Sequence, residues 1–233
     1  MYIIFVRYFM SSEAFYLFMK YLSRALMLLL IMPVVNYVKG NIAKKLGDNT
    51  SEIAGRLTLN PMSHLDLLGS LMIMFVGFGW SKPMPINYNR MKSTRTGAIV
   101  MAVTAPITLF IMAIVCKNIS AILLYLLEGI AGTAVFMIFS LLGSIATSIG
   151  VIYLLPLPGM DGFTLIYHLA GNKFVAWYHQ NRAVIDQASF YILLFLFFIG
   201  DLTNGRFDPL GLLIGKVDGL LEMTTFWVHL LFT

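Results

Sequence analysis

The segment ALMLLLIMPVVNYVK, at residues 25–39, decides the fold that this sequence can adopt. Its side chains are apolar almost throughout, and the sequence LGD at residues 46–48 follows it with a glycine of the kind that commonly ends a helix. A run of this length and polarity predicts a first membrane helix over residues 16–46. Pro33 lacks a backbone N–H, so we expect a kink or a local irregularity there.

The remainder of the chain also has the composition of a membrane domain. Of its 233 residues, 59% are hydrophobic and 12% are charged, whereas soluble chains carry about 25% charged residues. Further apolar segments lie at residues 65–80, 97–116, 130–155, 188–199 and 210–232. We therefore predict a single all-α polytopic domain over residues 1–233, with about five or six membrane segments in a lipid bilayer and a small β element near residues 53–59.

The charges bear on the partners and on the orientation in the membrane. The net charge is +5, but no basic stripe with interleaved aromatic residues is present, so nucleic acid is not an expected partner. Basic residues concentrate in loops 39–64 and 81–96, which share one side of the membrane if the short segment 65–80 does not cross it. The positive-inside rule makes that side cytoplasmic. Lys20 and Arg24 are expected to extend toward a membrane interface.

Four polar motifs carry information about function. They read GRLTLNPMSHLD at residues 55–66, FGWSKPMPIN at 78–87, TAPITL at 104–109 and LLPLPGMDG at 154–162. Their order and spacing resemble the site-2 protease family of intramembrane zinc metalloproteases, in its small bacterial form. In that family the first helix carries H-E-x-x-H before L-G-D, and the next motifs include G-W-A-K-P-V-P-V-N and N-L-L-P-x-P-P-L-D-G. The resemblance implies a multi-pass protein of the bacterial cytoplasmic membrane.

The resemblance also places the catalytic centre, and this chain departs from it there. In the family two histidines and a loop aspartate hold zinc, and the glutamate activates the metal-bound water. Counting back from LGD puts Val35-Asn36-Tyr37-Val38-Lys39 at the H-E-x-x-H positions. Valine cannot bind a metal, asparagine cannot act as a general base, and the lysine ammonium repels a dication. We therefore expect zinc to be absent and assign no catalytic residue.

Other replacements fall near the same centre. Ala105 and Leu109 stand where the family's G-P-x-x-N helix has glycine and asparagine, and Tyr153 stands where the family has asparagine, although Asp161 remains. The framework positions are kept: Gly55, Arg56, Asn60, Pro61, His64, Asp66, Trp80, Lys82, Pro83, Pro85, Pro156, Pro158 and Gly162. Loss of the reacting positions with retention of the framework is typical of a pseudo-enzyme.

Asp161 needs a partner because an ionised carboxylate in a membrane domain is costly when it is alone. We hypothesise that Lys39 pairs with it and replaces the charge of the metal. The alternative is that Asp161 caps the following turn or faces water. A separation of more than about 6 Å exceeds the range of close charge coupling and would exclude the pair.

The leading functional hypothesis is a catalytically inactive, site-2-protease-like protein that binds a membrane segment, a peptide or a partner subunit. An extended peptide could add to the retained motifs by edge pairing, and the candidate binding residues are Asn60, His64, Trp80 and Asn87. One alternative is a zinc-dependent intramembrane endopeptidase with an unorthodox site. Another is a structural or transport subunit of a membrane complex.

Overall fold

A computed structural model describes residues 13–232, and these residues fold into a set of α-helices joined by short turns. Residues 1–12 and 233 of the predicted single domain lie outside this range. The helices are α1 (Glu13–Lys45), α2 (Thr50–Ile53), α3 (Leu67–Phe75), α4 (Thr94–Leu126), α5 (Gly129–Tyr153), α6 (Asp161–Leu169), α7 (Asn172–Leu202), α8 (Pro209–Glu222) and α9 (Phe226–Phe232). Short 3₁₀ turns occupy Pro61–Ser63, Tyr88–Arg90 and Met223–Thr225.

Helices α1, α4, α5 and α7 are the four in the described range that are long and apolar enough to cross a membrane. The prediction of an all-α polytopic membrane protein is confirmed. The two other apolar segments of the prediction fold as shorter helices. Helix α3 has nine residues and is therefore about 14 Å long, which is less than half of a bilayer core. Residues 210–232 are divided between α8, a 3₁₀ turn and α9.

The irregularity expected at Pro33 is a π-helical turn in α1. This turn covers Met27–Ile31, immediately before the proline. Proline cannot donate to the carbonyl one turn earlier, and its ring crowds that carbonyl. A π turn changes the hydrogen-bonding register locally without ending the helix, so α1 continues to Lys45 and presents its second half to the centre of the domain.

The core lies where α1, α4 and α5 pack together. Leu109 of α4 and Ile149 of α5 are completely buried in it. Small residues let these two helices approach closely: a Cβ atom on Gly150 would lie 2.7 Å from the ring of Phe110. Close packing at small residues is the common mode of helix association in membranes. Helix α7 lies at the periphery, since only 6% of the residues in its most apolar stretch are buried.

The small β element expected near residues 53–59 is not formed in the described range, and that prediction is wrong. Residue Ile53 belongs to α2, and Gly55 then turns the chain with a φ of +65°. Residue Thr58 lies on an irregular segment, and its carbonyl accepts a hydrogen bond from the His64 ring at 2.7 Å. A strand needs a ladder of backbone partners, but a side chain takes this acceptor instead.

Helix α3 follows a re-entrant path: it ends against Arg24 of α1, and the chain returns beside it over residues 78–87, where Lys82 N donates to His64 O at 2.8 Å. The two prolines of this returning stretch favour an extended backbone in the residues that precede them. Loops 39–64 and 81–96 consequently meet at one end of the molecule, where Lys92 N donates to Leu46 O at 3.1 Å. This is the arrangement on which the cytoplasmic orientation of both loops depends. The orientation itself stays a prediction.

Arg24 holds the inner end of this re-entrant helix, which corrects the expectation that it extends to the membrane interface. Its Nη1 donates to the carbonyls of Met74 at 2.6 Å and Phe75 at 3.0 Å, and its Nη2 donates to Val76 O at 3.2 Å. The last carbonyls of a helix have no partner within the helix, and a cation there also complements the helix dipole. Arg24 is 7% exposed, because its guanidinium donates to backbone carbonyls for which lipid offers no hydrogen-bond donor.

Glycines make this turn compact. Gly77 has a φ of +95°, and a Cβ atom there would lie 2.5 Å from Arg24 Nη2. A Cβ atom on Gly69 would collide with the Trp80 carbonyl on the returning segment. The absence of side chains at these positions lets the extended segment pack directly against α3, which fixes one wall of the cavity described next.

Candidate functional site

A cavity of about 470 Å³ lies between α1, the extended segment 78–87 and the loop that leads into α6. Its lining is mostly apolar and aromatic, as is usual for ligand sites. The lining residues are Val35, Asn36, Lys39, Phe78, Trp80, Ser81, Pro83, Met84, Ile86, Tyr88, Ala105, Tyr153, Gly159, Met160 and Asp161. The cavity thus contains the positions at which the resemblance places a catalytic centre.

Lys39 and Asp161 meet inside this cavity. The Lys39 Nζ atom lies 3.4 Å from Asp161 Oδ1, and each side chain is 20% exposed. The distance is within the limit of about 6 Å for close charge coupling. Asp161 is the first residue of α6, where a negative charge also faces the positive end of the helix dipole. Both charged side chains are therefore partly buried and partly accessible to solvent.

The surroundings of Asp161 influence its proton affinity and that of a neighbouring phenol. Burial raises the pKa of the Asp161 carboxyl group above its ordinary value, and the Lys39 ammonium partly opposes this rise. Burial also raises the pKa of the Tyr88 phenol, and the negative charge of Asp161 adds to that effect. Tyr88 therefore keeps its proton and lines the cavity as a neutral group.

Asn36 makes a second polar contact between α1 and the cavity wall. Its Nδ2 donates to Ser81 Oγ at 2.9 Å. Ser81 stands where the resembled G-W-A-K motif has alanine, so both members of this pair depart from the family pattern. Val35 is 3% exposed and packs in the apolar core. Helix α1 is therefore tied to the extended segment through Asn36 and to the α6 loop through Lys39.

These residues do not fit a zinc ion. A catalytic zinc site needs about three protein ligands and one open position. Within residues 13–232, no cluster of three His, Cys, Asp or Glu side chains is placed to hold a metal. Asp161 is the one carboxylate among the described residues that line the cavity, and the group beside it is an ammonium, which repels a dication.

The candidate binding residues divide into one that lines the cavity and three that are not among its lining residues and make hydrogen bonds within their own segments. Trp80 lies in the wall. The Asn60 side chain accepts from Met62 N at 3.1 Å, and the Asn87 side chain accepts from Asn89 N at 3.1 Å, so both begin 3₁₀ turns. His64 is buried, and its Nε2 donates to a carbonyl of its own motif. Their roles in binding stay predictions.

Sequence reasoning missed two polar residues of the site, Ser81 and Tyr88. The serine was detectable as a departure from the alanine of the resembled motif. Nothing in the sequence indicates that Tyr88 faces Asp161, because the 3₁₀ turn that begins at Tyr88 has no distinctive sequence pattern. Both belong to the stretch that follows the re-entrant helix.

Hydrogen bonds hold the extended segment at Lys82, Pro85 and Asn87. Lys82 N donates to His64 O at 2.8 Å, Ser51 Oγ donates to Pro85 O at 2.7 Å, and Asn87 N donates to an Asp48 oxygen at 2.7 Å. In the part of the chain that the structure describes, the backbone groups of Met84 and Ile86 make no hydrogen bond. Alternate residues of an extended chain point their backbone groups to the same side, so these two form a short open edge.

The fold and site together define a polytopic membrane domain with a partly buried cavity that holds a lysine–aspartate ion pair. The chain is similar to a protein of Bacillus subtilis (strain 168) named "Putative zinc metalloprotease YwhC". The two are 34% identical over 131 residues, which is 55% of this chain and 60% of that protein. The chain therefore spans less than two thirds of the length of that relative. No family model matches the chain, and no solved structure matches it.

Proposed function

We propose that this chain is a catalytically inactive, site-2-protease-like membrane protein that binds an extended peptide or an unwound membrane segment in its cavity. The observation that carries the proposal is the Lys39 ammonium at 3.4 Å from Asp161 Oδ1. The Lys39 side chain itself supplies a positive charge at the place where the resemblance expects a metal ion. Asn36 occupies the position of the general base and uses its amide to hold Ser81.

The open edge at Met84 and Ile86 supports binding of an extended chain. Unpaired backbone groups on an extended segment are a template for a further strand, and peptides are recognised in this way by edge addition. The apolar residues Phe78, Trp80 and Met160 line the adjacent space and would receive the peptide's side chains. The affinity would come from the backbone, and the pockets would provide selectivity.

A bound segment would come from another membrane protein or a partner subunit, since the cavity lies in a domain surrounded by lipid. A transmembrane helix satisfies its own backbone groups, so a segment that pairs with this edge must first unwind. Segments that contain glycine or proline unwind at the lowest cost. We propose the bacterial cytoplasmic membrane as the location, with Lys39, Asp161 and the extended segment on its cytoplasmic side.

Site-specific photocrosslinking in the native membrane tests this proposal. A photoreactive phenylalanine analogue replaces Ile86 at the open edge, and a matched control places it at Leu202, a residue of α7 that is 75% exposed. We expect a discrete polypeptide adduct at Ile86 that Trp80→Ala weakens. Lipid adducts alone at both positions, or the same polypeptide at both, would contradict peptide binding in the cavity.

A second candidate is an active zinc-dependent endopeptidase, which the name of the Bacillus subtilis relative favours. It requires zinc in the purified protein and cleavage of a membrane substrate that Asp161→Ala abolishes. The absence of both under conditions in which a zinc metalloprotease control is active would support the inactive assignment. Cleavage that is lost with Asp161→Ala would replace it.

A further inference from the structure

We propose that the cavity selects an electrically neutral peptide stretch, with an uncharged amide placed against Lys39 and Asp161. This inference rests on the proposed function and specifies its ligand. It follows from the charge balance of the cavity and from the polar atoms that the ion pair leaves available.

The charge balance is simple because, among residues 13–232, two that line the cavity carry charge. Lys39 contributes a positive charge and Asp161 a negative one, and the other lining side chains are neutral, including the tyrosines at positions 88 and 153. Their sum is zero. A third charge placed beside a neutral pair would lose its hydration and gain no unpaired partner, which is unfavourable in a partly buried site. An uncharged ligand avoids this cost.

The available polar atoms indicate which uncharged group fits. The ion pair uses Asp161 Oδ1, and within the described residues Oδ2 makes no hydrogen bond. The Lys39 ammonium has three N–H donors, of which one points to Asp161. The cavity therefore offers a donor and an acceptor next to each other. An amide offers the complementary acceptor and donor, so a backbone amide or the carboxamide of asparagine or glutamine satisfies both.

The geometry of the walls agrees with an amide at this place. Asn36 and Lys39 lie three residues apart on α1 and face the same cavity, as positions with this spacing do on a helix. Asn36 fixes the extended segment through Ser81, and Lys39 fixes the start of α6. A peptide paired with the edge at Met84 and Ile86 would thus run past the ion pair.

Charge-variant peptides test the inference on the full-length protein in phosphatidylcholine nanodiscs. Three capped, dye-labelled heptapeptides differ only at the central residue, which is glutamine, lysine or glutamate. Fluorescence anisotropy measures the Kd of each. For the wild type we expect the glutamine peptide to bind at least about tenfold more tightly than either charged peptide, which corresponds to about 1.4 kcal/mol.

Two variants make the test independent of a general loss of fold. Lys39→Met leaves the negative charge and should shift the preference to the lysine peptide, whereas Asp161→Asn leaves the positive charge and should shift it to the glutamate peptide. Opposite shifts cannot arise from unfolding. The control Lys44→Met removes an exposed lysine that pairs with Glu52 away from the cavity, and it should keep the preference for glutamine.

The outcomes separate this inference from the proposed function. Equal binding of the three peptides by the wild type, or the same preference in both cavity variants, would overturn charge selection and leave peptide binding intact. Failure of the wild type to bind any of the peptides would overturn both.

Discussion

Two lysine–aspartate pairs lie within residues 13–232, and they differ in what surrounds them. Lys39 and Asp161 are 3.4 Å apart, each is 20% exposed, and both line the cavity. Lys117 of α4 and Asp218 of α8 are 3.0 Å apart with exposures of 7% and 22%. Ser144 Oγ of α5 also donates to Asp218 Oδ2 at 3.2 Å. The second pair joins three helices, whereas the first borders an open space.

The two environments suit the same pair of residue types to different roles. An ion pair in a membrane is tolerated when its charges neutralise each other and their remaining polar atoms find partners. Ser144 provides such a partner for Asp218 Oδ2, whereas Asp218 Oδ1 has the ion pair with Lys117 and no hydrogen bond among the described residues. Asp161 Oδ2 has no hydrogen-bond partner among the described residues, so this oxygen can still accept a hydrogen bond from a ligand in the cavity. On this account the Lys117 pair stabilises the fold, and the Lys39 pair receives a ligand.

The largest expected effect is that of Lys117→Met. It leaves the Asp218 carboxylate without its cation and should lower the free energy of unfolding by about 3–5 kcal/mol. Denaturation in detergent micelles, followed by circular dichroism, measures the loss. The double variant Lys117→Met/Asp218→Leu should recover most of it, because both charges are removed. A single variant as stable as the wild type would contradict the structural role of this pair.

Lys39→Met should cost less, about 1–3 kcal/mol, because water in the cavity can solvate the carboxylate that remains. The same denaturation assay applies, with Lys39→Met/Asp161→Asn as the charge-free control that should lie close to the wild type. The non-additivity of the two changes gives the coupling between the side chains. A cost equal to that of Lys117→Met would show that the two pairs do not differ as described.

Asp48 provides a third environment for a carboxylate, since it is fully buried and is held mainly by N–H and O–H donors. It accepts from the backbone and hydroxyl of Thr50 and from Asn87 N. Burial acts to raise the pKa of Asp48, but these hydrogen bonds outweigh it, and the pKa lies below its ordinary value of 3.8. Its stabilising contribution is therefore present above pH 3.8 and is lost as the pH falls through the lowered, folded-state value.

We accordingly expect Asp48→Asn to destabilise the protein at pH 7 by about 1–2 kcal/mol, since one or more charge-assisted hydrogen bonds are lost. The difference between the variant and the wild type should shrink when the unfolding experiment is repeated in increasingly acidic buffer. A difference that stays constant with pH would mean that the carboxylate charge is not the stabilising feature.

The smallest effect is expected for Ser81→Ala, which removes one neutral hydrogen bond to Asn36 and should cost about 0.5–1.5 kcal/mol. The exposed pair between Lys44 and Glu52, with side-chain exposures of 48% and 47%, provides a surface reference. Lys44→Met should change stability by less than about 1 kcal/mol. If Ser81→Ala has the same free energy of unfolding as the wild type, the hydrogen bond between Asn36 and Ser81 does not stabilise the contact between α1 and the extended segment.

The sequence allowed the helical membrane class and the proximity of Lys39 and Asp161 to be anticipated, for physical reasons. Long apolar runs have few alternatives to membrane helices. The motif order placed a helix position and a loop position at one centre, and charge neutralisation within a membrane domain then favoured their pairing. Both arguments depend on strong constraints that act regardless of side-chain detail.

The contacts that could not be anticipated depend on the path of the backbone. The partners of Arg24 are backbone carbonyls at the end of α3, and no side-chain pattern in the sequence reveals them. The sequence alone therefore predicts a membrane-interface position for Arg24. The contact between Asn36 and Ser81 required the re-entrant path that brings residues 78–87 against α1. The β element was expected from Ile53 and the residues after it, but a short helix and the positive φ of Gly55 interrupted that stretch.

The zinc content of the purified full-length protein tests most directly whether the Lys39 ammonium takes the place of a metal beside Asp161. The protein is equilibrated with excess zinc, exchanged into metal-free buffer and measured by inductively coupled plasma mass spectrometry. The Asp161→Ala variant is treated in parallel. The account predicts that the wild type retains no more zinc than this variant. One zinc ion per wild-type chain that disappears with Asp161→Ala would contradict it.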